Sequence, residues 1–202
     1  MAFLIDESFL PAKLTAPPMN HEQFAAFCAE HSDLRFEINA EGELLVMAPA
    51  NSKTGARNSW INLQLGAWAE REGRGRVFDS SAGFVLPSGA LLSPDAAWIA
   101  HERIDAIDPA NQDSFLRLCP DFLIELRSPS DRLAPLREKM KEWIGNGAQL
   151  GWLIDPETRS VEIYRLGREP EILVDPPSVA GEGPVVGFVL PLGRRLWEPF
   201  VR

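Results

Sequence analysis

Cysteine and histidine are scarce in this sequence, and their scarcity excludes several kinds of functional site. The 202 residues include two cysteines and three histidines. Two cysteines cannot build a disulfide framework, and Cys28 and Cys119 are too far apart to form the CxxC spacing of a zinc site. Zinc chemistry and histidine-based catalytic triads are therefore unexpected. The low cysteine content is typical of a reducing compartment, so we expect a cytoplasmic protein.

Long apolar runs and an excess of positive charge are also missing. No apolar stretch approaches the roughly 20 residues that cross a bilayer, and the first residues lack the basic region and apolar run of a signal peptide. Lysine and arginine total 20 against 29 aspartate and glutamate residues, a formal net charge of −9. This balance excludes binding to nucleic acid or acidic lipid through bulk positive charge, but it is compatible with a local basic groove.

The overall composition is that of a folded protein. Hydrophobic residues make up 45% of the chain and charged residues 24%, which are the proportions of a globular domain. No linker divides the sequence, so we expect a single domain that spans residues 1–202. Within it, residues 1–19 are rich in proline and leucine without a period, and we expect an N-terminal arm packed on the domain.

Basic residues are concentrated in two segments of the chain. Residues 51–76 contain five basic and two acidic side chains, and residues 127–141 also contain five and two. Two interpretations remain open at this point. The segments are solvated helix faces, or they border one cleft that binds phosphate groups.

Hydrophobic periodicity predicts an α/β fold with a mixed sheet. Residues 121–127 alternate as a strand, residues 133–146 have helical spacing, and residues 150–154 form an apolar strand, which together indicate a strand–helix–strand unit. Alternation places Glu125 and Arg127 on one face of the first strand. Further helices are predicted at 21–30, 54–72 and 101–107, and further strands at 34–39, 43–48, 76–79, 83–86, 91–99, 160–164, 171–174 and 185–190.

Two carboxylates on predicted strands are candidates for metal chemistry. Glu125 lies among leucine, isoleucine and phenylalanine, and a buried acid must be paired, neutralised or bound to a metal. Asp95 begins another apolar strand. Two carboxylates without histidine suit Mg²⁺ or Mn²⁺ better than zinc. The alternative is a structural salt bridge from Glu125 to Arg127 or to a base on a helix.

The same residues carry a resemblance to a known family. The chain resembles the Uma-two family of restriction endonuclease-like proteins, within the PD-(D/E)XK nuclease superfamily. The resemblance runs from about Phe36 to Phe188, and its motifs are specific as an ordered set. They are Phe36-Glu37-Ile38, Gly42-Glu43-Leu44, Pro49, Ser93-Pro94-Asp95, the run from Pro120 to Asp131, Lys139 with Trp143, and the run from Gly151 to Pro156.

The resemblance implies a restriction-endonuclease-like mixed β-sheet flanked by helices, with β-rich additions. It also implies roles for individual residues. Asp95 and Glu125 would be metal ligands, together with the backbone carbonyl of Leu126, for Mg²⁺ or Mn²⁺. Lys139, four positions before an aromatic residue on a helix, would be the cation that orients the phosphate. Arg127 stands where the superfamily usually has lysine, and because arginine stays charged its role would be electrostatic.

Two further positions bear on activity. Family members often carry a histidine in the long helix, where this chain has Asn58. Glu37 is a candidate accessory acid, although a hairpin glutamate paired with Arg35 or another base is the simpler interpretation.

Three functional hypotheses follow from these features. The first is a Mg²⁺-dependent endonuclease that hydrolyses phosphodiester bonds of DNA, which in this superfamily often acts as a homodimer. The second is a catalytically inactive nuclease-fold protein that binds nucleic acid or a protein partner, and Arg127 and Asn58 favour it. The third is an intracellular protein of structural or assembly type. Cleavage of plasmid DNA distinguishes the first hypothesis from the others.

Overall fold

A computed structural model describes residues 12–14, 19–31, 34–47, 50–108 and 114–201. Most of the predicted N-terminal arm and Pro49 lie outside these residues. The helices are α1 (His21–Glu30), α2 (Ser52–Glu72), α3 (His101–Asp105), α4 (Leu133–Gly145) and α5 (Gly193–Trp197). The strands are β1 (Ala12–Leu14), β2 (Arg35–Ile38), β3 (Leu44–Met47), β4 (Gly75–Asp79), β5 (Phe84–Val85), β6 (Leu91–Leu92), β7 (Ala96–Ala100), β8 (Phe122–Leu126), β9 (Leu150–Asp155), β10 (Ser160–Arg165), β11 (Glu171–Val174), β12 (Ser178–Ala180) and β13 (Val189–Pro191).

The central element is a mixed six-stranded sheet with the order β11-β10-β9-β8-β7-β4. Strands β8 and β9 run parallel and are joined through α4, whereas the other neighbouring strands are antiparallel. Parallel neighbours need a crossover connection, and α4 provides it. The predicted strand–helix–strand unit and the predicted mixed sheet with flanking helices are therefore confirmed.

Helices cover both faces of the sheet, and strand β8 shows how the sequence specifies this. Phe122, Ile124 and Leu126 pack into the cluster that contains the apolar side of α2. Leu123 points to the opposite face and packs into the cluster that contains Met140, Trp143 and Ile144 of α4. Because side chains alternate along a strand, Glu125 shares the α4 face with Leu123.

A second sheet with the order β1-β3-β2-β6-β5 lies beside the first, and β12 and β13 form a two-stranded sheet. These are the expected β-rich additions. The predicted hairpin is present as β2 and β3, which pair with Phe36 opposite Val46. The predicted strand at 185–190 is wrong in part, because residues 183–185 form a short 3-10 helix and β13 begins at Val189. Within the described ranges, no helix combines the length and apolar character needed to cross a membrane.

The predicted strand at 91–99 is broken, and the break positions a candidate site residue. Strand β6 pairs with β2 and β5 in the second sheet, whereas β7 pairs with β4 and β8 in the central sheet. Ser93, Pro94 and Asp95 connect them. Proline has no N–H to donate to a strand ladder, so the chain leaves one sheet here and enters the other. Asp95 therefore lies where the two sheets meet.

Candidate active site

A cavity of about 470 Å³ opens where the two sheets meet and brings most of the predicted site residues together. Asp95, Glu125, Leu126 and Lys139 all line it, whereas Arg127 does not. Four acidic residues and two basic residues contribute to its wall, so negative charge predominates. The remaining lining residues come from the start of α2 and the residues before it, from β2, β3 and α4, from the segment between β6 and β7, and from the turn after β8. They are Arg35, Glu37, Met47, Ala50, Asn51, Thr54, Asn58, Ser93, Ser128, Pro129, Ser130, Asp131 and Leu136.

Asp95 and Glu125 lie at neighbouring strand ends, as the sequence predicts. Strands β7 and β8 are antiparallel, with Ala96 opposite Ile124, and one further step along this register brings Asp95 opposite Glu125. The Asp95 carboxylate is close enough to Glu125 to raise the pKa of that glutamate. The Leu126 N–H donates a hydrogen bond of 2.8 Å to Asp95 Oδ2, which holds the aspartate against the end of β8.

Helix α2 fixes Asp95 from one side of the sheet. Asn58 Nδ2 donates to Asp95 Oδ1 at 2.8 Å, and Asn62 Nδ2 donates to the Asp95 carbonyl at 3.0 Å. The two asparagines are four residues apart, so they share one face of the helix. The position where family members often have histidine thus orients the aspartate. The Asn58 Oδ1 atom is buried without a hydrogen-bond partner in the described residues.

Helix α4 fixes Glu125 from the other side. Trp143 Nε1 donates to Glu125 Oε1 at 2.8 Å, and the Lys139 Nζ lies 2.9 Å from the same oxygen. Lys139 and Trp143 are also four residues apart on one helix face. Both donors bind Oε1, and no donor to Oε2 occurs among the described residues, so Oε2 is the oxygen available to a further ligand.

Glu37 reaches this cluster from the second sheet. Its Oε1 accepts a hydrogen bond of 2.8 Å from Lys139 Nζ and one of 2.9 Å from the Ser93 N–H. Lys139 Nζ also donates to the Ser93 carbonyl at 3.0 Å. Glu37 is paired with a base, as the simpler interpretation of the sequence proposed, and that base is Lys139. The lysine is therefore held between two buried glutamates.

Burial and crowded charge alter the titration of these groups. Burial raises the pKa of Glu125 to about 7, with Lys139 lowering it and the carboxylates of Asp95 and Glu37 raising it further. Burial also raises the pKa of Asp95, against the hydrogen bond from Leu126. For Lys139, burial alone would lower the pKa, but Glu125 and Glu37 together raise it above its ordinary value. Lys139 therefore stays protonated at neutral pH.

Arg127 is paired with Asp155 and Glu157, so of the two structural alternatives for Glu125 the salt bridge to Arg127 is not the one formed. Its Nη1 lies 2.8 Å from Asp155 Oδ2 and 2.8 Å from Glu157 Oε2, and its N–H pairs with the Ile154 carbonyl. Arg127 follows the last residue of β8, so the alternation that governs the strand no longer places its side chain. The helix base Lys139, the other alternative, is the partner of Glu125.

A family model described as "Uma2: Putative restriction endonuclease" matches residues 21–193. The chain belongs to this Uma2 family. The sequence resemblance described above is thereby confirmed.

A solved structure of similar fold is that of "a putative nuclease belonging to DUF820" from Anabaena variabilis ATCC 29413. The two chains are 22% identical, with a TM-score of 0.65, and the match covers 83% of this chain and 90% of the other. At this identity the likeness establishes the nuclease fold alone. No curated protein matches the chain.

Sequence reasoning about this Uma2 protein missed two residues of the site and underrated a third. In the sequence, Trp143 stands out only as the aromatic residue four positions after Lys139, yet its indole N–H donates to Glu125. Asn62 was not considered, and Glu37 was considered without its partner. A signal for the first two exists in the sequence, because each lies four residues after a recognised position, Lys139 or Asn58. No local signal links Glu37 to Lys139, since 102 residues separate them.

The donor atoms in the cavity fit a hard divalent cation. Such a cation binds carboxylate and carbonyl oxygens, and Glu125 Oε2 and the lone pairs that remain on Asp95 are of that kind. Leu126 offers its backbone carbonyl as well. The N–H and C=O of one strand residue point to the same neighbouring strand, and the Leu126 N–H points to Asp95. The Leu126 carbonyl therefore points to the segment with Pro94, which has no N–H to donate. Within the described ranges, no three His, Cys, Asp or Glu side chains form a metal-binding group. The fit therefore rests on two carboxylates and a backbone carbonyl.

Proposed function

We propose that this protein is a Mg²⁺- or Mn²⁺-dependent endonuclease that hydrolyses phosphodiester bonds of DNA. The observation that carries the proposal is the Asp95–Glu125 pair, held by a helix on each side and opening into a cavity where acidic residues outnumber basic ones. An excess of carboxylates in a cavity attracts a cation. Membership of a family described as restriction endonucleases, together with the nuclease fold, supports this interpretation.

Asp95, Glu125 and the Leu126 carbonyl would hold the cation. When bound, it supplies the concentrated positive charge that stabilises a phosphoryl transition state. The protein's part is to prepare this site: Asn58 and the Leu126 N–H orient the two oxygens of Asp95, while Trp143 and Lys139 orient Glu125.

Lys139 would act as a charged donor and not as a base. Its raised pKa keeps the Nζ protonated, and a protonated amine has no lone pair with which to accept a proton. It can donate to a phosphate oxygen or to the attacking water, since it already lines the cavity. Preorganised donors of this kind typically contribute about 10²–10³ in rate.

Glu37 would position Lys139 by direct contact from the second sheet. Glu37 Oε1 binds both Lys139 Nζ and the Ser93 N–H, so one carboxylate joins α4 to the segment that carries Asp95. It therefore fixes the lysine relative to the aspartate.

A second candidate function is that of a nuclease-fold protein that binds nucleic acid or a protein partner without cutting DNA. The observation in its favour is Arg127, which occupies the usual lysine position and is fully engaged by Asp155 and Glu157. The positive charge at the superfamily's usual lysine position is therefore directed away from the Asp95–Glu125 pair.

Nicking of supercoiled plasmid DNA in Mg²⁺ or Mn²⁺ tests the proposal. Wild-type protein is expected to nick the plasmid, and Glu125→Gln is expected to lose that activity. The matched control is Glu162→Gln, which alters another buried glutamate of the same sheet. DNA that is bound but left intact by both wild type and Glu125→Gln would favour the second candidate function.

We propose two partners for this protein, which are DNA and a second copy of the same chain. Nucleases of this superfamily often act as homodimers, in which each copy cuts one strand of a duplex. Sedimentation of the protein with and without duplex DNA tests this state. The proposed location is the cytoplasm, with which the free Cys28 and Cys119 are consistent.

A further inference from the structure

A second cavity lies beside the candidate active site and has the opposite charge character. It measures about 300 Å³ and shares two wall residues, Ser128 and Pro129, with the first cavity. Its basic residues are Lys53, Arg57 and Arg127, drawn from both basic segments of the sequence. These two segments therefore do border one cleft. Its other lining residues are Asp155, Pro156 and Glu157.

The two acidic residues of this cavity are already committed to one of the three bases. Asp155 Oδ2 and Glu157 Oε2 each lie 2.8 Å from Arg127 Nη1. The other oxygen of Asp155 accepts a hydrogen bond of 2.9 Å from the Glu157 N–H. Arg127 is thus neutralised within the protein, while no carboxylate in the described part of the chain pairs with Lys53 or Arg57.

Arg57 is a buried cation without a counter-charge. Arg57 is only 8% exposed to solvent. Its guanidinium donates hydrogen bonds to the carbonyl oxygens of Leu196 and Trp197 at 2.6 and 3.1 Å. No carboxylate among the described residues forms an ion pair with it. Buried charges in proteins are normally paired, because an unpaired one is costly to remove from water. Burial also lowers the pKa of Arg57, as expected for a desolvated guanidinium.

Lys53 supplies a second uncompensated charge at the mouth of the cavity. Its side chain is exposed, and no acidic partner for it occurs in the described part of the chain. A cavity with two unneutralised cations, one of them buried, is complementary to an anion.

We propose that this second cavity binds a phosphate group of the DNA backbone next to the one held at the Asp95–Glu125 pair. This inference rests on the proposed function, since it names where the same substrate is held outside the reacting centre. The first cavity needs a cation before it can accept a phosphate, because acidic residues predominate in its wall. The second cavity accepts a phosphate with the protein's own charges, and so it fixes the DNA strand.

Salt-dependent DNA binding tests the second cavity. The affinity for a fluorescein-labelled duplex of about 20 base pairs would be measured by anisotropy between 50 and 300 mM NaCl. EDTA is included so that no cleavage occurs. Each phosphate neutralised by the protein contributes about 0.9 to the slope of log affinity against log salt concentration. Lys53→Gln is expected to reduce that slope by roughly one phosphate equivalent, about 0.9. At low salt it should weaken binding about five- to tenfold.

The matched control is Arg71→Gln, which removes one exposed positive charge from the last turn of the same helix. At a rise of 1.5 Å per residue it lies about 27 Å further along α2. Its binding slope should match that of wild type. Lys53 is exposed, so its substitution leaves the core intact.

Three outcomes separate the two proposals. Equal slopes for wild type, Lys53→Gln and Arg71→Gln in a protein that nicks plasmid would overturn the second phosphate site and leave the nuclease proposal standing. A Lys53-specific loss of slope in a protein that never nicks plasmid would support the phosphate site and reject hydrolysis. Absence of DNA binding by wild type would reject the phosphate site.

Discussion

Helix α4 presents two bases to two buried glutamates of the central sheet, and the two pairs differ in their balance of charge and in their access to a cavity. Arg137 binds Glu162 of β10 through Nε and Nη2, at 3.0 and 2.5 Å from Oε1. The Tyr164 hydroxyl donates to Glu162 Oε2 at 2.7 Å. One base therefore meets one acid, and donors reach both carboxylate oxygens.

The pair formed by Lys139 and Glu125 is unbalanced by comparison. Lys139 faces Glu37 as well as Glu125, with Asp95 beside them, and the donors among the described residues bind one oxygen of Glu125, Oε1. The cluster opens into the first cavity, whereas neither Arg137 nor Glu162 lines either of the two cavities described above. A buried salt bridge is thus a poor sign of function by itself. Excess carboxylate next to an open space is the informative feature.

The largest expected effect separates the two glutamates. Glu125→Gln should reduce plasmid nicking at least about 10³-fold, because a neutral amide is a poor ligand for a hard cation. Glu162→Gln should keep nicking within about threefold of wild type and lower the free energy of unfolding by about 1–3 kcal/mol, the usual cost of disturbing a buried hydrogen-bonded group. Plasmid nicking and urea unfolding measure the two effects. Equal loss of nicking in both variants would show that the distinction is wrong.

The next effect separates the two bases of α4. Lys139→Met should lower the rate of nicking by about 10²–10³, as loss of a preorganised donor does. Mn²⁺ binding should be retained in calorimetry once the pH exceeds the raised Glu125 pKa of this variant. Arg137→Met should leave the rate almost unchanged, since its partner lies outside both cavities. If nicking depended on Arg137 and not on Lys139, the assignment of the working cation would have to be abandoned.

A third prediction concerns the protonation of Glu125 in metal-free protein. Its carboxyl carbon should titrate by NMR with a pKa of about 7. Because the Lys139 ammonium lowers this pKa, Lys139→Met should raise it further. Glu37→Gln should lower it, because the Glu37 carboxylate raises it.

The direction of the accompanying metal dependence follows from the same titration. Only the ionised carboxylate ligates a cation, so Mn²⁺ affinity should rise up to about tenfold per pH unit below pH 7 and level off above it. A Glu125 midpoint near the ordinary glutamate value in wild type would contradict the interpretation that burial and the neighbouring carboxylates raise this pKa.

The smallest effect is expected at Arg127. Arg127→Gln should lower the free energy of unfolding at neutral pH by about 1–3 kcal/mol, because it leaves the buried Asp155 without its charged partner. Nicking should stay within about threefold of wild type. Burial opposes the ionisation of Asp155, but hydrogen bonds from Arg127 and Glu157 lower its pKa.

The sign of the pH dependence at this position can be stated. A carboxyl with a lowered folded-state pKa stabilises the fold above its unfolded pKa, and that stability is lost as the pH falls through the folded value. The difference in stability between wild type and Arg127→Gln should therefore shrink below about pH 4. Loss of nicking without loss of stability would return Arg127 to a catalytic role.

The sequence by itself determined the parts of the site that depend on local periodicity. Alternation along 121–127 places Glu125 on one face of a strand, and helical spacing brings Lys139 and Trp143 to one face of α4. Both patterns follow from the geometry of a single element, so they can be recognised without knowing its neighbours. Asp95 was recognised in the same way, by its place before an apolar strand.

Only the tertiary structure decided which residues meet across elements. Glu37 belongs to the second sheet, and its contact with Lys139 depends on how that sheet sits against α4. Arg127 lies just beyond β8, where alternation ends, so its partners Asp155 and Glu157 come from the end of β9 and the turn after it. Contacts of this kind depend on strand order and register. These are set by the packing of the whole core and leave no trace in any one segment of the chain.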